Sequence, residues 1–554
     1  MKIPTAETRL LFAFSISGMA ALSHEVVWTR LMVLIFGSTV YAVSTILTAF
    51  MAGLAFGSYY MGKKVISYKN LYALFGVVEL GIGIYGILFP QILPYMQYPY
   101  VLLFRVLGGS FILFQTAQVL IYLALLLVPT FLMGSTFPIL SKIVVTDLDS
   151  TGKKIGFLYS SNSIGSMIGP VISGFFLIPV IGIRYTALVA AILNISIGLT
   201  FLLTAAKVNK RALAAVPIAF LVASAGYVAY QNPMKTINFY YVPLLHTFAE
   251  VDEFLSAQET IFYKEGLYST VEVVKIGETL SLKIDGRIDA STSIRDMSTQ
   301  QLLAYLPTLL YGNPKTVLNI GLGGGFTVGA LKNLNVTIDI VEIDEAVVES
   351  NEKIFKTYNN DALNYGKMQL YVTDARNFLL TTDKKWDIII SEPSNPVTSS
   401  VNHLFTKEFF VLAKQHLNDG GILAQWFPND GSISEREYKI ILKTLLSEFP
   451  YVSIWDVSSE RRLTNTIMIA SLKPHSTTAA GFPNRAVEED MIKIGINSVA
   501  QLNSRQVCDP DDSKKFVENT QMMNLDDLPI VEFLVPRNYF GEGKRLTQMC
   551  IAAN

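Results

Sequence analysis

Hydrophobic and polar positions alternate in two different ways along this chain. Up to about residue 230, apolar residues run in long blocks with few interruptions. A helix needs roughly 20 such residues to cross ~30 Å of hydrocarbon. About seven blocks reach that length, near 10–36, 40–62, 71–94, 111–140, 155–180, 184–205 and 212–230. The first lacks a small-residue cleavage site and runs on into more apolar sequence, so it reads as a span and not a cleaved leader. The stretch 95–110 carries Arg105 and reads as an interfacial helix.

Beyond residue 230 the blocks shorten. A linker over 231–260 leads to 261–295, where "YSTVEVVKIGETLSLKIDG" alternates apolar and polar residues around a turn at Gly277-Glu278. That alternation predicts a small β subdomain. A helix is expected over 296–310. From 316 the pattern becomes strand–helix–strand, the signature of an α/β sheet with parallel strands. The α/β domain is assigned to 296–475, with 476–554 as an extension completing it. The predicted fold is thus a multi-span helical membrane domain over 1–230, followed by the small β subdomain and an α/β domain.

Charge follows the same division. Residues 1–230 hold 14 Lys+Arg and 5 Asp+Glu, and residues 231–554 hold 30 and 40. Such a split excludes a purely soluble, a disordered or a disulfide-scaffold protein. The acidic second half argues against a nucleic-acid partner. Lys63, Lys64 and Lys69 fall after the second block, Lys142, Lys153 and Lys154 after the fourth, and Lys207, Lys210 and Arg211 after the sixth. Alternate loops carry little beyond Arg184. The excess of Lys and Arg in cytoplasmic loops places the N-terminus in the cytoplasm. Seven spans then put 231–554 outside; if 212–230 does not cross, that half is cytoplasmic.

Within the spans, Gly53/Gly57 and Gly165/Gly169 are each four apart, the spacing that lets helix backbones approach closely. His24, Glu25, Arg30 and Glu79 also lie inside spans. A charge in lipid costs at least ~2.5 kcal/mol, so these side chains should face the bundle interior. They form either a polar pathway or an interhelical clasp.

The chemistry gathers in the second half. "TVLNI" at 316–320 is a buried-strand pattern that runs into Gly321-Leu322-Gly323-Gly324-Gly325 and then helix-like "FTVGALKN". Glycines between a strand end and a helix start let backbone approach a ligand. Glu342 ends the next strand, 21 residues after Gly321, where a carboxylate can accept both ribose hydroxyls. The spacing G-x-G-x-G lacks the third glycine of the dinucleotide fingerprint and favours a nucleoside such as S-adenosylmethionine. "LYVTDA" places Asp374, with Ala375 beside it, where an adenine amino group can be read. "WDIIISEPSNP" places Glu392 just past a fourth strand, with Asn395 three residues on. Ligands in open α/β sheets bind at such carboxyl ends. No Cys/His cluster has metal-binding spacing, so no metal is expected.

Residues 261–470 resemble the spermidine synthase (polyamine aminopropyltransferase) family in "YSTVEV", "LKIDGRIDAST", "VLNIGLGGG", "DIVEIDEAVVE", "YVTDARNFL", "WDIIISEPSNP", "LFTKEFF" and "GGILAQWF". The whole chain resembles the membrane-integrated branch of that family, through "EVVWTRLMVLIFGSTVYAVST", "MGSTFPIL" and "DDLPIVEFLVPR". The resemblance implies a Rossmann-like, methyltransferase-type parallel sheet. It implies that Gly321, Gly323, Gly325, Glu342, Asp374 and Ala375 hold the nucleoside. It also implies that Glu392, an Asp in soluble members, takes a proton from the attacking amine, since an ammonium is no nucleophile until it loses one. Asp289, Asn395 and Gln425 would place the acceptor.

Three positions depart from the soluble members. Gly324 stands where they have an Asp that holds the free amine of decarboxylated S-adenosylmethionine, Asp289 where they have Gln, and Asn395 where they have a second Asp. Intact and decarboxylated S-adenosylmethionine are therefore both candidate substrates, with Asp296 a further acid near the acceptor. The implied activity is an integral membrane transferase acting on an amine or polyamine, with the lipid bilayer as its other partner. The alternative is a transporter or sensor whose domain binds a nucleoside or polyamine without turnover. Association into a homo-oligomer is left open. The two cysteines, Cys508 and Cys550, could pair in an external domain.

Overall fold

The computed structural model describes residues 5–205, 226, 235–237, 241–396, 398–399, 401–428, 432–458, 464–476, 481–541 and 550. Contacts divide the chain into two compact units, one of Met1–Gly37, Tyr41–Leu107 and Ile112–Leu255, the other of Ser38–Val40, Gly108–Phe111 and Ser256–Asn554.

The first unit is helical. Among the described residues, six helical segments are long and apolar enough to cross a membrane: Glu7–Phe36, Val40–Ser67, Leu71–Leu107, Phe111–Val144, Thr151–Ile181 and Ile183–Ala205. The seventh expected span, 212–230, lies outside the described residues except for Gly226. The stretch 95–110, expected as an interfacial helix, contains a separate helix Gln97–Leu107 that follows a short 3-10 turn and extends the third segment.

Glycines set the close approaches, as their spacing implied. A Cβ on Gly165 would overlap the carbonyl oxygen of Ser15, and one on Gly169 that of Met19. A Cβ on Gly57 would likewise overlap the carbonyl oxygen of Phe131, and one on Gly53 the side-chain hydroxyl of Thr130. Without an apolar driving force between helices in lipid, such backbone contacts provide the packing. Glu79 is buried and accepts hydrogen bonds from the Ser17 hydroxyl at 2.5 Å and the Asn194 amide at 2.8 Å. These contacts clasp three helices together.

The second unit holds two sheets. β1 (Glu259–Glu265), β2 (Thr270–Ile276), β3 (Thr279–Ile284) and β4 (Arg287–Ser291) form an antiparallel meander, with the turn at Gly277-Glu278 where the alternation placed it. Glu272 and Lys283 face each other across β2 and β3 as a buried ion pair at 3.1 Å.

The larger sheet contains β5 (Thr316–Ile320), β6 (Thr337–Glu342), β7 (Met368–Val372), β8 (Trp386–Ser391), β9 (Leu417–Pro428), β10 (Tyr451–Asp456), β11 (Asn465–Ser471) and β12 (Gln506–Cys508). Its order is β12-β10-β11-β9-β8-β5-β6-β7. β5 to β9 run parallel, and β10, β11 and β12 add antiparallel pairs. Every residue of β8, Trp-Asp-Ile-Ile-Ile-Ser, is buried, as a strand covered on both faces requires.

Chain order departs in opposite directions from the neighbouring strands β5 and β8. The gap between their carboxyl ends is the topological switch point, the preferred ligand crevice of open α/β sheets. Helix Ile294–Tyr311, expected over 296–310, links the two sheets. Its Leu302, Leu303 and Leu306 share one buried cluster with Val273 and Leu282 of the meander and Ile338 and Ile388 of the large sheet.

Candidate active site

The crevice is built first from backbone. After β5 the chain turns through Gly321 at φ +89°, Gly323 at +51° and Gly325 at +74°, the region that disfavours a side chain. Gly321 has a second reason. The ends of β5 and β8 meet there, and a Cβ would sit 2.6 Å from the carbonyl oxygen of Glu392. Two buried asparagines hold the loop from behind: Asn351 donates to the Gly323 carbonyl at 2.7 Å and Asn359 to that of Gly324 at 3.0 Å. A Cβ on Gly324 would meet the Phe326 ring at 2.5 Å.

Glu342 closes β6 beside this loop. Its carboxylate accepts the Leu322 N–H at 2.8 Å and the Asp344 N–H at 2.9 Å, one on each oxygen. Burial raises its pKa above the usual carboxylate value, partly offset by these amides. Each oxygen keeps lone-pair capacity for a further donor. Asp374 follows β7, half-buried, and caps helix Ala375–Thr381 by accepting the Asn377 N–H at 2.9 Å through one oxygen. Ala375 is the buried first residue of that helix. Asp374 is therefore both a helix cap and a strand-end acid with its second oxygen outside the cap bond.

Glu392 follows β8, its N–H bonded to the Ile320 carbonyl at 3.0 Å. The half-buried side chain accepts the Thr327 hydroxyl at 2.7 Å. Burial pushes its pKa up to about 8, with the hydroxyl acting in the opposite direction. No cation is hydrogen-bonded to it among the described residues. It is a carboxyl that titrates near neutrality at a ligand crevice, the property expected of a proton-transfer group.

Asp289 of β4 reaches the same segment: Ser394, two residues past Glu392, donates to it at 2.7 Å, and Arg287 stands 3.6 Å away. Burial raises the Asp289 pKa, and Arg287 and Ser394 lower it. Asp296 is also raised by burial and accepts the Ser291 hydroxyl. Asn395 is fully buried and donates to the Ser432 hydroxyl at 3.2 Å. Gln425 is fully buried on β9. Its amide donates to the Trp426 carbonyl at 3.1 Å, and its buried Oε1 has no hydrogen bond. Both amides are enclosed by protein.

The structure thus brings Gly321–Gly325, Glu342 and Glu392 to the switch point. It connects Asp289 to the Glu392 segment through Ser394 and sets Asp374 one strand further out, past β7. His403, past the Glu392 segment, is half exposed, 3.9 Å from Asp526.

Thr327, Ser394, Asn351 and Asn359 were not anticipated. Thr327 could have been flagged by its place at the second position of the helix after the glycine loop. The two asparagines lie 28 and 35 residues from the carbonyls they hold and carry no local signal. Asp344 was passed over although it sits in "VEIDEAVVE". It caps helix Glu345–Lys353 and accepts both the backbone N–H and the hydroxyl of Ser269, at 3.1 and 2.6 Å. That contact fixes the β1–β2 turn against the end of β6. Cys508 and Cys550 are joined as a disulfide.

Residues 296–475 match the family model described as the spermine/spermidine synthase domain. The polyamine aminopropyltransferase of Leptospira interrogans is 24% identical over 423 residues, covering 75% of this chain and 78% of that one. That of Pseudomonas syringae is 33% identical over 151 residues, 27% of this chain and 51% of its own length. That of Methanocaldococcus jannaschii is 37% identical over 127 residues, 23% and 43%. The chain thus spans about half the length of the latter two relatives. Among solved structures, spermidine synthase from Thermotoga maritima is similar at 17% identity, with 47% of this chain and 88% of that chain covered and a TM-score of 0.38.

Proposed function

We propose that this chain, with its spermine/spermidine synthase domain at 296–475, is an integral membrane aminopropyltransferase. Its donor would be decarboxylated S-adenosylmethionine and its acceptor a small amine or polyamine. The observation that carries the reading is the convergence at one switch point of a positive-φ glycine loop, a strand-end carboxylate with spare acceptor capacity, and a second carboxyl with a pKa of about 8.

Glu342 takes the ribose hydroxyls, the backbone at Gly321, Gly323 and Gly325 approaches the nucleoside, and Asp374 with Ala375 frames the base. The acceptor nitrogen attacks the propyl carbon beside the sulfonium. The C–N bond forms, the C–S bond breaks with its electron pair going to sulfur, and methylthioadenosine leaves. The sulfonium supplies the leaving group, and the protein supplies alignment and a proton acceptor. Glu392 receives the amine proton. Its raised pKa suits this task better than an ordinary carboxylate, since proton transfer is most efficient when the acceptor titrates near the working pH. The cationic sulfonium and ammonium would favour its ionised form once bound.

Asp289 offers the acceptor a counter-charge, with Asn395 and Gln425 placing it from below. The Phe326 ring beside Gly324 leaves the donor's amino end without the acid of soluble relatives. Intact S-adenosylmethionine is therefore tested alongside the decarboxylated form.

The soluble unit is placed on the extracytoplasmic side, with 212–230 as the seventh crossing. The Lys- and Arg-bearing loops support this, as does the cystine, which belongs to an oxidising compartment. Amine-dependent release of methylthioadenosine by the purified full chain tests the reaction. An impermeant reagent on cysteines engineered at 278 and 515 in sealed cells tests the side; labelling only after permeabilisation would reverse the orientation.

A further inference from the structure

We infer that the helical unit contains a binding site for a small monovalent cation, a proton or a sodium ion, built from Glu79, Asn194, Ser17 and His24. The site is separate from the chemistry of the second unit and does not depend on it.

The observations start from an unbalanced charge. Glu79 is fully buried, in a segment apolar enough to cross a membrane. Its carboxylate accepts only neutral donors in the described structure, Ser17 Oγ at 2.5 Å and Asn194 Nδ2 at 2.8 Å. A buried carboxylate without a cation is costly and normally finds a counter-charge or a proton.

Two further buried groups carry the same imbalance. Asn194 is fully buried, and its Oδ1 has no hydrogen bond. His24 is fully buried, stacked on Trp28 at 5.0 Å between ring centroids, and neither ring nitrogen has a hydrogen-bond partner within normal distance. The helices that carry His24 and Asn194, Thr5–Phe36 and Ile183–Ala205, pack against each other. The Asn194 amide thus donates to a carboxylate with its oxygen unspent, on a helix packed against that of His24.

The Asn194 amide nitrogen faces Glu79, so an alkali cation would be held by the carboxylate, the Ser17 hydroxyl and, once that amide turns over, its oxygen, a set of hard oxygen donors. A proton satisfies the same set by another route. Carried by His24, it donates to Asn194 Oδ1, whose amide already donates to Glu79. Carried by Glu79, it cancels the charge directly.

Close helix packing beside the cluster favours a bare ion. Gly86 is packed onto the His24 ring, which a Cβ would overlap, and Gly83 against Ala191 and Ile195. An alkylammonium chain finds no room at these contacts. Helices Thr5–Phe36, Leu71–Ile92 and Ile183–Ala205 supply the cluster, and His24 and Glu79 are its titratable members. Glu25 and Arg30, on the helix of His24, are half-buried.

The test uses the full chain in detergent and in liposomes. Melting temperature is measured in sodium against choline chloride at constant ionic strength, and from pH 5 to 8, for the wild type and Glu79→Gln. Sodium binding predicts a rise in melting temperature with sodium that saturates and is absent in the variant. Proton binding predicts no sodium effect and a pH dependence that differs between the two proteins. Identical sodium and pH responses in both would overturn the site. If Glu79→Gln does not fold, the wild-type full chain in liposomes decides: after hydrogen–deuterium exchange, the infrared difference spectrum on sodium exchange or a pH step must contain a carboxyl band that is protected from exchange. Its absence in both arms sinks the inference.

Discussion

Glu342→Gln isolates the nucleoside half of the site. In the wild type one carboxylate oxygen accepts the Leu322 N–H at 2.8 Å and the other the Asp344 N–H at 2.9 Å. Glutamine offers one oxygen, and its NH2 group faces whichever N–H loses its acceptor. Two separable costs follow. Leaving a buried donor unpaired costs about 1–3 kcal/mol of folding stability, seen as a lower melting temperature without ligand. A ribose hydroxyl that had donated to a carboxylate loses a hydrogen bond to a charged group, about 1.5–3 kcal/mol. At 1.4 kcal/mol per decade this weakens binding by about 10- to 150-fold. Calorimetry with methylthioadenosine reads the second cost, and thermal melting of the same sample reads the first. A variant that is folded and binds within about twofold of wild type would refute the ribose assignment. A variant that binds weakly only because it is unfolded would show no cooperative melt.

Glu392→Gln should keep the contact with Thr327 and bind methylthioadenosine normally, but lose about 10²–10⁴-fold in turnover; equal steady-state rates would remove it as proton acceptor. The pKa of about 8 at Glu392 is raised above the unfolded carboxylate value of about 4.3, so the native state holds the extra proton between those limits. Wild-type stability should therefore fall, relative to Glu392→Gln, as pH rises from about 4.5 to 8. Parallel melting curves for the two proteins across that range would contradict this. The Cys508–Cys550 disulfide spans 42 residues, and closing a loop of that length is worth about 4 kcal/mol in the chain-entropy description. Alkylation before lysis should leave both thiols unmodified, and Cys508→Ser should lower the melting temperature of the soluble unit; free thiols in freshly alkylated protein would place the domain in a reducing compartment.

Much of this site was legible because its residues sit at strand ends that hydrophobic runs delimit. "TVLNI", "TIDIVE" and "WDIIIS" are uninterrupted enough to locate β5, β6 and β8, and Gly321, Glu342 and Glu392 then follow by position. The order of the strands was not legible from these runs alone, since pairing β8 with β5 depends on crossovers that leave no local mark. Thr327 escaped notice because a hydroxyl in a helix has many uses, and only the fold brings it to Glu392, 65 residues away. Asn351 and Asn359 were invisible for the same reason. The bundle was easier to delimit than to interpret. Gly53, Gly57, Gly165 and Gly169 marked packing faces by spacing, whereas the meeting of Glu79 with Asn194, 115 residues on, required the helices to be placed.

The central claim is transfer of an aminopropyl group, and one measurement addresses it directly. Purified full-length protein is incubated with decarboxylated S-adenosylmethionine labelled in the propyl chain, with and without putrescine or another small amine, and products are resolved by mass. The account predicts methylthioadenosine and labelled aminopropyl-amine in equal amounts, both dependent on the amine and both reduced at least a hundredfold by Glu392→Gln. Tight binding of methylthioadenosine with no label transferred to any amine, from either the decarboxylated or the intact donor, would contradict it and leave a nucleoside-binding membrane protein without turnover.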